Sequence, residues 1–156
     1  MLIDDDVVYE NGVADILRRR AEVSPFNACL RSLKFLVEKE VVRPYKSWPI
    51  YNTCHTGSSI FATNVGGVVI KPVFARRLIE LGDLYQDHCR NADDIWFHWV
   101  SLQYNMPYTQ VISDFKNPTP IPFTQGKGLS NTVNISGNDA SIQGLYSLEV
   151  LSRVMR

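Results

Sequence analysis

The residues of this chain best equipped for chemistry are carboxylates, and they fall in two clusters. Asp4-Asp5-Asp6 follows the short apolar run Met1-Leu2-Ile3, and Asp93-Asp94 stands where a polar loop runs into Ile95-Trp96-Phe97-His98-Trp99-Val100. In an extended segment alternate side chains share a face, so Asp4 and Asp6 can point together. Such pairs are hard oxygen ligands suited to Mg2+ or Mn2+, ions that usually also hold substrate phosphates. The pair at 93–94 has a second use: one Asp caps the free N–H groups of the first helical turn while the other interacts favourably with the helix dipole. Two acidic clusters, one ending a strand and one opening a helix, can line a single polar cleft of an α/β domain. A catalytic reading requires that they meet there.

The elements that must position these groups are legible from apolar spacing. Residues 2–4 read as the end of a buried strand, with the acidic run at its C-terminal edge, where open α/β sheets bind ligands. That run is shorter than the five or six residues of an ordinary strand, which suggests missing upstream sequence. Asn11-Gly12 turns the chain, and Val13, Ile16, Leu17 and Arg20 begin a helix that ends before Ser24-Pro25, because proline disfavours helix in the preceding residue. Arg18-Arg19-Arg20 reads as the solvated C-terminal end of that helix, with phosphate binding as the alternative. Residues 27–37 fit a strand or a short helix; a strand around 29–32 is preferred. Residues 38–48 and 51–59 read as loops. Gly66-Gly67, before the apolar run Val68-Val69-Ile70, marks either a strand-entry turn or a place where the backbone approaches a ligand. Phe74, Leu78, Leu81 and Tyr85 recur at helical spacing as core. Ile95, Trp99 and Leu102 share one face of the acidic helix, which Asn105-Met106-Pro107 stops. Residues 108–112 read as a strand, 117–122 as irregular and 125–130 as a loop. Asn138-Asp139 reads as the cap of a closing helix carrying Ile142, Leu145, Tyr146 and Val150.

Length and composition narrow the class. The 156 residues suffice for one domain with a real core. Formal net charge is zero, which disfavours nonspecific nucleic-acid binding. No apolar run reaches the roughly 20 residues of a membrane span, and the first residues are not a signal peptide. Cys29, Cys54 and Cys89 are odd in number and form no CxxC pair, which argues against a zinc site or disulfide framework and for a reducing, cytoplasmic setting.

Ile3-Asp4-Asp5-Asp6-Val7-Val8-Tyr9 resembles the Asp-x-Asp strand end of GT-A type glycosyltransferases. Phe61-Ala62-Thr63-Asn64-Val65-Gly66-Gly67-Val68 resembles a glycine-containing segment of a bacterial family of such enzymes, with Asn64 where the usual form has Gly. Ala92-Asp93-Asp94-Ile95-Trp96-Phe97 resembles that family's acidic-helix motif, and Asn134-Ile135-Ser136-Gly137-Asn138-Asp139 its C-terminal end. The resemblance implies a partial GT-A fold, an α/β domain over residues 1–156 with a small mixed sheet flanked by helices. The nucleotide-binding half that precedes the Asp-x-Asp strand in the family is absent from this sequence.

The resemblance also implies roles. Asp4 and Asp6 would hold Mn2+ or Mg2+ against the diphosphate of a nucleotide-sugar, with Asp5 beside them in the cofactor site. Asp94, or failing it Asp93, would be the base that takes the proton of a hydroxyl on the glycan acceptor. Gly66 and Gly67 would bring backbone close to a sugar. Tyr45, Trp48, Tyr51, Trp96 and Trp99 can each stack on sugar faces or pack in the core; Trp48, in a loop, and Trp96 are the substrate candidates, and Trp99 reads as core. His55 and His98 are left outside the metal site. The expected partners are the nucleotide-sugar donor and the acceptor, with self-association or a missing N-terminal half at an open sheet edge. Two other classes remain: a non-catalytic fragment that binds saccharide or a partner, and a Mg2+-dependent phosphoryl-transfer domain. The latter lacks a phosphate loop.

Overall fold

The computed structural model describes residues 1–51, 53–111, 116–124 and 134–155. Its centre is the helix α4, Asp93–Gln103, in which Ile95, Trp96, His98, Val100, Ser101 and Leu102 are all buried. Burial on so many sides, rather than along the single Ile95–Trp99–Leu102 stripe, marks an interior helix. It packs against the strand β7 (Ile60–Ala62), the helices α2 (Pro72–Leu81) and α3 (Tyr85–Cys89), and the later helix Asn134–Leu145.

The main sheet has four short strands in the order β6 (His55–Gly57), β9 (Tyr108–Gln110), β2 (Asn27–Cys29), β8 (Val68–Val69). Only β2 and β9 run parallel, with Ala28 opposite Thr109; the other two pairings are antiparallel, so the sheet is mixed. β2 and β9 are buried at every position, as expected for strands covered on both faces. The helix α1, Val13–Val23, lies against β2 and β8 through Leu17 and Ala21, one helical turn apart. Ser24 ends it, and the Lys71 ammonium donates to the Ala21 carbonyl near that end, at 2.6 Å. Arg18 is exposed and pairs with Asp15 and Glu22, so this arginine belongs to a solvated face.

Three smaller pairings complete the strands among the described residues: β3 (Ser32–Lys34) with β7, β4 (Val37–Glu38) with β5 (Val41–Val42), and β1 (Val7–Val8) with β10 (Thr119–Pro120), all antiparallel. A cluster of rings fills the space between β3, β7 and α4: Phe35 lies 4.9 Å from Trp48, 4.6 Å from His98 and 4.9 Å from Tyr146.

Several expectations need correction. Residues 2–4 are not a buried strand: Leu2 makes one antiparallel bridge to Val68, while Ile3 is 50% exposed. The strand expected at 29–32 is two strands, β2 and β3, because the chain turns between sheets at Leu30 and Arg31. The loop at 38–48 contains the β4–β5 hairpin, with Lys39 and Glu40 at positive φ, and a 3-10 turn at Tyr45–Ser47. The loop at 51–59 contains β6, and the irregular 117–122 contains β10; both are too short and too polar to announce themselves. The closing helix begins at Asn134, before Asn138, and a second helix, Leu148–Leu151, follows it. Asn138 is therefore inside a helix and buried, not a cap. Tyr85, expected in the core, is 36% exposed. The loop expected at 125–130 lies outside the described residues. Among the described residues, no helix is long and apolar enough to cross a membrane.

Candidate functional site

The two acidic clusters meet. The first is carried in by the Leu2–Val68 bridge, whose two hydrogen bonds of 2.7 and 2.9 Å lay the chain start along β8. The second stands at the first turn of α4. Burial, reinforced by Asp6, Asp93 and Asp5, holds the Asp4 carboxyl above the usual carboxylate range. Burial pushes Asp94 well above it too, and Asp93 and Asp4 add to the effect; the Asn64 N–H and Arg31 oppose it. Asp4 thus feels Asp93, and Asp94 feels Asp4, so carboxylates some 90 positions apart in sequence share one field.

Asn64 joins them. It opens a 3-10 turn, Asn64–Gly66, that follows β7. Its backbone N–H donates to Asp94 Oδ1 at 3.1 Å, and its side-chain amide donates to Asp93 Oδ2 at 2.8 Å. The Tyr9 hydroxyl donates to the Asn64 carbonyl at 3.5 Å and accepts from the Asp4 N–H at 2.9 Å. Asp93 Oδ1 also accepts from the Asp94 N–H at 3.0 Å. Neither aspartate is the helix N-cap; that position is Ala92, which has no side-chain cap bond. The capping expectation is corrected accordingly: both aspartates lie inside the first turn, and Asp93 divides its oxygens between the Asn64 amide and the Asp94 N–H.

A positive edge closes the site on one side. The Arg31 guanidinium donates to Thr63 Oγ1 at 2.8 Å, and its Nε has no partner among the described residues. Nearby, Tyr45 is pushed up to about 12 by burial and by Asp94, with Arg31 opposing. The Tyr45 backbone N–H donates to Asp139 Oδ1 at 2.8 Å, tying this rim to the helix Asn134–Leu145.

The structure distributes the expected site residues unevenly. Asp4, Asp93 and Asp94 come together, with Asp6 and Asp5 close enough to act on Asp4. Asp5 and Asp93 are exposed, and Asp4, Asp6 and Asp94 are partly buried, so solvent reaches the group. Trp48 and Trp96 do not offer a sugar-stacking face. Trp48 is 5% exposed, with its indole N–H donating to the Arg43 carbonyl at 2.8 Å; Trp96 is 4% exposed and stacks on Trp99 at 4.9 Å. Gly66 and Gly67 are buried as well. The close approach they permit is internal: a Cβ at Gly66 would stand 2.3 Å from Arg31 Cβ and 2.7 Å from its backbone N. At Gly67, where φ is +81°, a Cβ would lie 3.1 Å from Leu17 Cδ1.

Asn64, Tyr9 and Arg31 are not marked out for this site by the sequence, and Tyr45 only as a sugar-stacking ring. Two of them leave a trace: Asn64 departs from the glycine of the resembling family, and Tyr9 closes its acidic motif.

Among the described residues, no group of three or more His, Cys, Asp or Glu side chains is disposed to hold a metal ion by itself. The donor set fits an open site instead. A cation held by one or two carboxylates and completed by substrate phosphates needs no protein cage, and the carboxylate repulsion that adds to the burial of Asp4 is what a divalent ion relieves. His98 takes no part: it is buried, with Nδ1 2.8 Å from the Tyr146 hydroxyl and Nε2 3.0 Å from the Ser58 carbonyl. A separate polar hollow of about 650 Å3, between His55, Ser58, Ser59, Asn105 and Arg153, contains none of these carboxylates.

No protein-family model matches the chain, and no curated protein or solved structure matches it either.

Proposed function

We propose that this chain carries the metal- and acceptor-side groups of a GT-A-like glycosyltransferase, transferring a sugar from a nucleotide-sugar to a hydroxyl acceptor. The observation that carries the reading is the convergence of Asp4 with Asp93 and Asp94 across the Asn64 turn. Asp4 and Asp6 would hold Mn2+ or Mg2+, with Asp5 beside them; when bound, the ion supplies positive charge against the departing diphosphate.

The protein's own groups do the rest. Among the described residues, Asp94 keeps one carboxylate oxygen without a donor, whereas both oxygens of Asp93 are engaged. A partly buried carboxylate whose proton affinity is raised is suited to general-base work. Asp94 accepts the proton of the acceptor hydroxyl as that oxygen attacks the anomeric carbon, and the bond from that carbon to the diphosphate breaks. Arg31 supplies a fixed positive charge beside Asp94 that favours its ionised, proton-accepting form before the reaction.

The test is calorimetric titration of Mn2+ with and without UDP, on the wild-type chain and on Asp4→Asn and Asp6→Asn. Nucleotide binding that requires Mn2+ and is lost in both variants is the expected result. No nucleotide binding under any condition would point to a non-catalytic saccharide- or partner-binding fragment, and phosphoester hydrolysis without sugar transfer to phosphoryl-transfer chemistry.

A further inference from the structure

The Asn64 turn does more than bring the two clusters together, because its bonds to Asp93 and Asp94 are not equivalent. The bond to Asp94 comes from the backbone and is available to any residue but proline. The bond to Asp93 comes from the side chain and is specific to a donor at this position. Its direction is chemically fixed: turning the amide over would set its oxygen against a carboxylate that can only accept. The turn itself is held from both sides, by the Tyr9 hydroxyl on the Asn64 carbonyl and by Gly66 seated on Arg31. Asp93 therefore has one oxygen on the Asn64 amide and the other on the Asp94 N–H, while Asp94 keeps one oxygen unclaimed by the described residues.

We infer that Asn64 is the positioning residue of this site: its side-chain amide engages Asp93 and so leaves Asp94 as the carboxylate of the pair with an oxygen unclaimed among the described residues. Glycine in place of Asn64 keeps the Asp94 bond and gives up the Asp93 bond, so an Asn64→Gly chain would have two carboxylates competing for the same role. The inference deepens the transferase reading and, for its effect on turnover, rests on it.

The experiment has two arms on the full chain. In the first, carbon-13 NMR of the aspartate carboxyls is compared between wild type and Asn64→Gly. The Asp93 signal is expected to move more than that of Asp94, and Asn64→Gln, which retains the donor, to restore part of the difference. In the second, a panel of UDP-, GDP- and dTDP-sugars is assayed with Mn2+. For any donor that turns over, Asn64→Gly is expected to lower kcat about ten- to a hundredfold, the range of a lost hydrogen bond to a charged group, with KM for the donor unchanged. Asn64→Asp, isosteric but without the donor, should lose as much. An unmoved Asp93 signal, a kcat within about twofold of wild type, or a loss confined to KM overturns the inference. If no donor turns over in wild type, it is the transferase reading that fails, and the carboxyl signals alone decide the role of Asn64.

Discussion

Gly66→Ala is the sharpest test of how the site is built. A methyl group there would lie about 1 Å inside ordinary contact with Arg31, against both its Cβ and its backbone N, and backbone cannot swing aside. Relief requires the Asn64–Gly66 turn to lift off the junction between β2 and β3. That junction is stitched by Thr63 N–H to the Arg31 carbonyl at 3.1 Å and Leu30 N–H to the Gly67 carbonyl at 3.4 Å. Overpacking and the weakening of one or two such bonds together cost about 2–4 kcal/mol. At this chain length each kcal/mol corresponds to roughly 2–4 °C, so the melting temperature should fall by about 5–15 °C. Gly144→Ala is the control: it is helical, nothing lies within 4 Å of the added Cβ, and a gain of about 0.5–1 kcal/mol is expected. Thermal and urea unfolding followed by circular dichroism measure both. A Gly66→Ala protein melting within about 2 °C of wild type would mean that the turn is not seated on Arg31, and the account of how Asp93 and Asp94 are held would go with it.

Further outcomes follow from buried groups. Burial lowers the His98 pKa from 6.5 to about 4, so between those values the unfolded chain binds the proton more tightly; urea stability should fall by about 3 kcal/mol as pH drops through that window. Asp94 has the opposite sign: its folded-state pKa is raised, so its unfavourable contribution is absent below about pH 3.8 and grows as pH rises through the elevated value. Asp94→Asn should therefore raise the urea midpoint at about pH 8 while abolishing any transfer, and an unchanged midpoint would count against the burial of that carboxylate. Trp48→Ala should cost about 3–5 kcal/mol as a core deletion; a protein with undiminished urea stability that had instead lost saccharide binding would return Trp48 to the role its loop position suggested.

Elements set by local chemistry and periodicity are legible in the sequence. The helix from Val13 to the Ser24-Pro25 stop and the core position of Phe74 follow from spacing and turn residues alone. Elements whose partners lie far away in the chain are not legible in this way. His55–Gly57 and Thr119–Pro120 have little strand character of their own and are strands only because Tyr108–Gln110 and Val7–Val8 offer them backbone partners. Trp48 sits among polar residues and prolines, yet Phe35 and Phe61 enclose it. The acidic motifs are visible as types and spacings, but their meeting depends on Asn64, three of whose bonds reach residues 29, 30 and 55 positions away.

The Leu2 bridge has a consequence for how the molecule comes apart. Ahead of β1, the first acidic segment is tied down at Leu2 by the exchange with Val68, at Asp4 by the N–H bond to Tyr9, and at Asp6 by the Ile121 N–H and the Thr124 hydroxyl on its carbonyl. Peeling back that short ribbon costs far less than melting α4 or the strands beneath it, since Met1 and Ile3 bury little. Amide exchange should therefore be quicker at Leu2 and Asp4 than in α4, so that the Asp4 carboxylate can leave the site while the fold beneath it stays intact.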